Sequence, residues 1–223
     1  SVSIACGAHA GDEATMTRSV AEAARLGVVV GAHPGYPDRA GFGRATVDMP
    51  EEDLRRSLTG QIRLLAGIAA GHGVRLAHVK PHGALYNTGA GDAALASIIV
   101  QAVRDADPAL RLIGPPGSAL LDAASRAGLP GTAETFADRR YLPSGRLAPR
   151  SGSDALILDP VEAAAQAVAL ATARPIPTVG GGTILLAAET VSVHADTPGA
   201  LEIARAIRDA LDKAGVRVRA IGD

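Results

Sequence analysis

Short apolar runs alternate with stretches of helical periodicity along all 223 residues of the chain. Residues 2–5 read as a buried strand. Asp12 reads as an N-cap with Glu13 in the first turn of a helix that ends at Gly27. The apolar run 28–31 predicts a second strand. Pro50 and Glu51 open a longer helix, whose Leu54, Leu58, Ile62 and Leu65 recur at helical spacing. A strand is predicted over 76–80, a helix over 92–106, a strand over 110–113 and a helix over 117–127. Another strand over 132–136 leads into a long Pro/Gly/Arg loop that runs to about Ser153. Then come a helix over 161–173 and a strand over 191–194. Thr197 and Pro198 open a last helix with the stripe Leu201, Ala204, Ile207 and Leu211, before a final strand over 216–221. No linker or low-complexity tract interrupts this order, so 1–223 is expected to form one domain.

Strand–helix alternation predicts a parallel sheet covered by helices. The strand runs are apolar throughout rather than alternating, as when both faces are buried. A (β/α) barrel and an open doubly wound sheet both satisfy this pattern. No Gly-x-Gly-x-x-Gly follows the first strand and no Walker A sequence is present. The placement of the polar residues favours the barrel.

Composition narrows the function. The length supports a sizeable core without a disulfide or metal staple. A net charge of −1 and 2% aromatic residues remove the electrostatic and base-stacking case for nucleic acid. A single cysteine, Cys6, excludes a disulfide framework and the common Cys-based zinc sites, and reads as a small buried hydrophobe. The apolar runs 64–70 and 95–100 fall far short of the roughly 18 residues of a membrane span. No signal segment opens the sequence, and a cytoplasmic protein without membrane association is expected.

Ionisable residues collect just after the predicted strands. His9 follows the first, in Gly7-Ala8-His9-Ala10-Gly11-Asp12. His33 follows the second, in His33-Pro34-Gly35-Tyr36-Pro37-Asp38. The third carries His78-Val79-Lys80-Pro81-His82-Gly83-Ala84-Leu85-Tyr86-Asn87. Glu134 through Tyr141 and Val193-His194-Ala195-Asp196 close two later strands, and only His72 lies outside the pattern, near a helix end. The C-terminal ends of parallel strands are where α/β folds and barrels place their active sites. Lys80 and Lys213 are the only lysines among 22 basic residues, so Lys80 stands out as a compact, tunable ammonium. The five aromatics Tyr36, Phe42, Tyr86, Phe136 and Tyr141 all fall in or beside these loops and are expected to line a pocket. His78, Lys80 and His82 share one face if the strand continues through Pro81, although His78 lies deep enough for a purely structural role. Imidazoles and carboxylates in this number suit metal-activated hydrolysis or metal-free general acid–base catalysis.

These motifs, with Gly41-Phe42-Gly43-Arg44, Glu134-Thr135-Phe136-Ala137-Asp138-Arg139-Arg140-Tyr141 and His194-Ala195-Asp196-Thr197-Pro198, resemble the LamB/YcsF family of 5-oxoprolinase A subunits. The resemblance runs in order along nearly the whole chain. It implies an α/β fold, a distorted (β/α) TIM-like barrel of the glycoside hydrolase/deacetylase type. Family members usually begin with a strand reading Asp-Leu-Asn-x-Asp-x-Gly-Glu, and the chain is expected to lack that first strand. Ser3, Ala8 and Ala45 stand where the family commonly has Asn, Phe and Arg, and Ser192 and Ala195 replace a usual Cys and Gly.

The resemblance implies ATP-dependent hydrolysis of 5-oxo-L-proline to L-glutamate, with ATP as cosubstrate, in concert with subunits B and C. A homo-oligomer and a divalent metal are open possibilities, with His9, His33 and His82 as candidate ligands. Phosphorylating the oxygen of an unactivated lactam would make it a better electrophile for water. His82 or His33 is expected to be the base, with Asp12 or Asp138 orienting it. Lys80 and Arg139 are expected to hold the substrate carboxylate or phosphoryl oxygens. His9, Tyr36, Tyr86, Asn87, Glu134, Arg139, His194 and Asp196 complete the expected substrate contacts. With no Walker A loop, a nucleotide site would be unconventional or lie on a partner. Two rival readings are a metal-dependent amidase or deacetylase on amino-sugar or other amide substrates, and a non-catalytic substrate-binding subunit.

Overall fold

In the computed structural model, residues 1–152 and 154–221 are described. They divide into one unit of Ser1–Thr132 with Ala220 and Ile221, and a second of Ala133–Arg219. The first unit carries parallel strands in the order β1 (Val2–Ala5), β2 (Val30–His33), β3 (Leu76–Val79) and β4 (Arg111–Gly114). Helices α1 (Glu13–Arg25), α2 (Glu51–Gly71), α3 (Gly83–Gly89), α4 (Ala93–Ala106) and α5 (Ala119–Arg126) alternate with them. Strand β5 (Gly131–Phe136) carries the chain into the second unit. There α6 (Pro160–Ala171), β6 (Ile176–Pro177), β7 (Thr183–Ile184), β8 (Thr190–Ser192) and α7 (Ala200–Lys213) follow. Strands β5 and β8 pair in parallel, and β6 and β7 form a short antiparallel ladder. Strand–helix alternation with parallel pairing is that of the expected α/β class, of the distorted (β/α) TIM-like type. No helix among the described residues is long and apolar enough to cross a membrane.

The helices begin where local chemistry starts them. Asp12 accepts from the Thr15 N–H at 2.7 Å, and Asp92 from Ala94 and Leu95 at 2.9 and 3.1 Å. Asp159 accepts from Val161 at 2.9 Å, just ahead of Pro160 at the first helical position. Each such cap supplies an acceptor to a helix-terminal N–H that has no partner within the helix. The predicted stripe of α2 is buried as expected, with Leu54, Leu58, Ile62 and Leu65 in the first unit's core beside Met16, Val30, Val79 and Leu112. The second unit packs α6 on α7 through Ala163, Ala167, Ile203, Ile207 and Leu211.

Four expectations shift, each for a physical reason. Strand β2 begins at Val30 rather than at 28, because the Val28 N–H closes α1 by bonding the Ala23 carbonyl at 2.8 Å across left-handed Gly27. The buried face of α7 is Ile203, Ile207 and Leu211, while Leu201 is 57% exposed and Ala204 is exposed. No strand forms over 216–221: Val216 closes α7 on the Leu211 carbonyl at 2.9 Å, and Val218 stays exposed. Strand β8 stops at Ser192, because the His194 N–H turns to the Asp138 carboxylate instead of continuing the ladder. Sequence periodicity also missed the glycine-bounded helix α3 and the two-residue strands β6 and β7 around Gly180, Gly181 and Gly182. The expected loop after β5 is irregular as read, and its end at Ser153 lies outside the described residues.

One cross-strand row is polar and buried. The register aligns Ser3 with Gly31 and Gly31 with His78. The His78 ring lies over Gly31 and its Nε2 meets the Ser3 hydroxyl at 3.0 Å. A Cβ at position 31 would sit 2.1 Å from that nitrogen, so only glycine leaves room for the ring. Burial, aided by nearby positive charge including Lys80, pushes the His78 pKa down to about 4. Between that value and the ordinary 6.5, the unfolded chain binds one more proton than the folded chain. This contribution is therefore fully present above pH 6.5 and is lost as pH falls toward 4, at up to about 1.4 kcal/mol per pH unit. Urea midpoints taken at intervals down this range are expected to fall more steeply in the unsubstituted chain than in His78→Gln. Equal slopes would show that His78 is not held neutral.

Candidate functional site

Two clusters of ionisable side chains form, one in each unit. In the first unit, the loops after β1, β2 and β3 bring His9, His33 and His82 together. The His9 and His82 rings stack face to face, with centroids 3.8 Å apart and planes 1° from parallel. His33 stands edge-on to both. His33 Nε2 lies 2.9 Å from His82 Nδ1, His33 Nδ1 lies 2.6 Å from the Lys80 carbonyl, and His82 Nε2 lies 2.8 Å from the Phe42 carbonyl. One ring nitrogen from each of the three histidines falls within 4.8 Å of the others. His9 is 2% exposed and its Nδ1 has no hydrogen-bond partner among the described residues.

The surrounding backbone is built to let these rings approach. A Cβ on Gly35 would lie 2.7 Å from His9 Nδ1, and one on Gly83 would lie 2.4 Å from the Gly43 carbonyl. Gly83 also has φ +55°, which a side chain would strain. Gln61, buried on the inner face of α2, accepts from the Gly35 N–H at 3.0 Å and donates to the Gly35 carbonyl at 2.9 Å. That clamp fixes the loop beneath His9. Burial, then His82 and Arg39, lowers the His9 pKa to about 4. Burial, with Lys80 and His82 adding, holds His33 well below the ordinary imidazole range. Both rings are neutral at pH 7, the state in which imidazole can accept a proton or ligate a metal.

The second unit supplies a carboxylate–imidazole pair. Asp138, completely buried after β5, accepts from the His194 N–H at 3.1 Å, from His194 Nδ1 at 3.1 Å and from the Thr197 hydroxyl at 2.7 Å. Burial alone would raise the Asp138 pKa, but the hydrogen bonds from His194 and Thr197, with the positive charge His194 carries whenever it is protonated, outweigh it and hold the carboxyl below its ordinary value. With Nδ1–H directed at the carboxylate, His194 presents its Nε2 lone pair. Its ring stacks on Phe136 at 4.8 Å, and the side chain keeps 24% of its surface exposed. An imidazole aligned by a buried carboxylate is the working part of a general base.

Other expected site residues have different surroundings. Asp12 caps α1 and is exposed, so it orients neither His33 nor His82. Asp138 orients a histidine as expected, but that histidine is His194. His78 is spent on Ser3 rather than joining His82, because β3 ends at Val79 and His82 starts α3. Arg139 is buried and donates to the Ala155 and Ala148 carbonyls at 3.3 and 2.5 Å, bracing the long loop. Asp196 lies 3.7 Å from Arg150. Asn87 is exposed and bonds back to Gly83 inside α3.

The aromatics are mostly packing groups rather than a common lining. Tyr36 belongs to the first unit's core, and Tyr86 is buried on α3. Tyr141 packs with Leu170 and Ile176, and its hydroxyl accepts from the Phe136 N–H. Phe42 alone stands edge-on to His9 and His82. Lys80, just past the end of β3, and Glu134, within β5, are buried, and Cys6 is a buried thiol whose pKa burial pushes up to about 12. Sequence reading missed Gln61, Gln166 and the role of Thr197. For the two glutamines the available signal was a polar residue on the apolar face of a helix, whereas Thr197 precedes α7.

The family model described as LamB/YcsF family matches residues 1–223. The chain is 48% identical over 220 residues to the 5-oxoprolinase A subunit of Bordetella pertussis strain Tohama I, covering 99% of this chain and 87% of that protein. It is 50% identical over 220 residues to the 5-oxoprolinase A subunit of Nocardia farcinica, covering 99% and 88%. A crystal structure of the lactam utilization protein from Thermus thermophilus superimposes with a TM-score of 0.90 at 41% identity, covering 97% of this chain and 87% of that one.

Proposed function

The chain belongs to the LamB/YcsF family, and from that premise we propose that it takes part in hydrolysing 5-oxo-L-proline to L-glutamate as the A component of an ATP-dependent complex with B and C subunits. The observation that carries the reading is the pair formed by buried Asp138 and partly exposed His194, a positioned base next to a solvent-accessible face. Relatives named for a lactam-opening enzyme and for lactam utilization support the substrate class.

The chemistry asks for such a base. A five-membered lactam is an unactivated amide, and neutral water attacks it slowly. Transfer of the γ-phosphoryl group of ATP to the lactam oxygen releases ADP and makes the ring carbon electrophilic. His194 Nε2 takes a proton from the attacking water as the carbon–oxygen bond forms. The ring C–N bond then breaks with a proton delivered to nitrogen, leaving an acyl phosphate. A second water releases phosphate and glutamate. Asp138 keeps Nδ1–H in place and stabilises the imidazolium formed in between. This assignment moves the base from His33 and His82, whose mapped nitrogens face backbone carbonyls and each other.

Glutamate release from 5-oxo-L-proline by the chain co-expressed with its B and C subunits, with and without ATP, tests the reading. ATP-dependent release is the expected result. Release that is independent of ATP would favour the amidase reading. No release from a folded, assembled complex would reject the substrate.

A further inference from the structure

We propose that His9, His33 and His82 form a binding site for one divalent late transition-metal ion of the zinc or cobalt class. The inference stands on the geometry of these rings and does not depend on the lactam reading.

The tautomers follow from the hydrogen-bond partners. A carbonyl oxygen only accepts, so His33 Nδ1, 2.6 Å from the Lys80 carbonyl, carries its hydrogen. By the same reasoning His82 Nε2, 2.8 Å from the Phe42 carbonyl, carries its hydrogen. In the neutral rings, His33 Nε2 and His82 Nδ1 are then both lone pairs, and they face each other at 2.9 Å. Two lone pairs at that distance repel unless a positive centre sits between or beside them. A proton is one such centre. It would charge a half-buried pair of rings, one of which already feels the positive charge of Lys80.

A metal ion is the other, and the rest of the cluster fits it. A metal-bound imidazole characteristically donates its second ring N–H to a backbone carbonyl or carboxylate, which fixes the ring and raises its basicity. The Lys80 and Phe42 carbonyls already occupy those positions. His9 brings a third imidazole, stacked on His82, buried, with a ring nitrogen that lacks a hydrogen-bond partner among the described residues. One nitrogen from each ring lies within 4.8 Å of the others; an imidazole ligates in its own plane, so His9, stacked parallel to His82, turns out of the stack to join an ion held by His33 and His82. Three imidazoles without thiolate select zinc, cobalt, nickel or copper over magnesium or calcium, which prefer oxygen ligands. Gly35 and Gly43 keep the space around the rings clear, where a Cβ would come within 2.7 Å of His9 Nδ1 and 3.1 Å of His82 Cδ2 respectively.

The test uses untagged chain stripped with a chelator and titrated with zinc by calorimetry and with cobalt by visible absorption. One ion per chain is expected, with cobalt ligand-field bands. His33→Gln and His82→Gln are each expected to weaken zinc binding by at least about tenfold, the low end of what loss of even an outer-shell partner costs a metal site. His72→Ala, at the exposed end of α2, is expected to leave it unchanged. Zinc affinity equal in the unsubstituted and His82→Gln chains would overturn the proposal in favour of a shared proton.

Nitrogen NMR of the unsubstituted chain supplies an atom-level check that needs no folded variant. Zinc should move the resonances of His33 Nε2 and His82 Nδ1, while His33 Nδ1 and His82 Nε2 remain protonated. Unmoved resonances at saturating zinc would reject the site.

Discussion

Replacing His194 with alanine is expected to lower the ring-opening rate of the assembled enzyme about 10²–10⁴-fold, the range that a positioned general base supplies. The loss should fall on kcat, because the base acts in the transition state and not in ground-state binding. Asp138→Asn should approach the same loss by a different route. An asparagine amide can donate to His194 Nδ1, which turns the ring's hydrogen to Nε2 and removes the lone pair that would face water. Asp138 is a positioning residue, so Asp138→Glu should recover part of the rate, whereas a merely structural role would show no such recovery. Full kcat in His194→Ala would remove this histidine from the mechanism.

The second large effect is on stability. Gln166 is buried on α6, and its amide nitrogen donates to the carbonyls of Phe136, Ala137 and Arg139 at 2.9, 3.2 and 2.8 Å. These three carbonyls bracket Asp138. Gln166→Leu keeps the side-chain volume but removes the two amide N–H groups that these three carbonyls share. A buried hydrogen bond lost without replacement costs about 1 kcal/mol or more, so removing two donors is expected to destabilise the chain by at least about 2 kcal/mol. That is a large fraction of the roughly 5–15 kcal/mol that holds a domain folded. Urea unfolding measures it directly. A change under about 0.5 kcal/mol, the size of an ordinary surface substitution, would show that the clamp is not needed.

Both predictions turn on residues that the sequence reveals unequally. Strand β1, helix α2 and the caps Asp12, Asp92 and Asp159 follow from local rules, because capping and apolar periodicity act within a few residues. Val28 and Val216 misled the reading in the same way. Each is a β-branched residue placed after a glycine and looks like the start of a strand, yet its N–H is used to close the preceding helix. The grouping of His9, His33 and His82 was foreshadowed by their positions after successive strands. Their tautomers were not, since these depend on the carbonyls of Lys80 and Phe42, which no side-chain pattern encodes. Asp138 was legible as a candidate orienter, but its partner was not. The pairing with His194 spans 56 residues and is set by where β8 ends.

The row formed by Ser3, Gly31 and His78 has a consequence for how this sequence can drift over time. Position 31 is bare because the ring of position 78 occupies the space where its side chain would begin. A mutation that adds even a methyl group at 31 forces the imidazole out of its place over the strand. It fits without that displacement only after a smaller residue has arisen at 78. The order of the two events is therefore constrained, and Ser3 loses its 3.0 Å partner whenever the second site changes. Three positions on three different strands are thus coupled through one ring, although nothing in their spacing along the chain connects them.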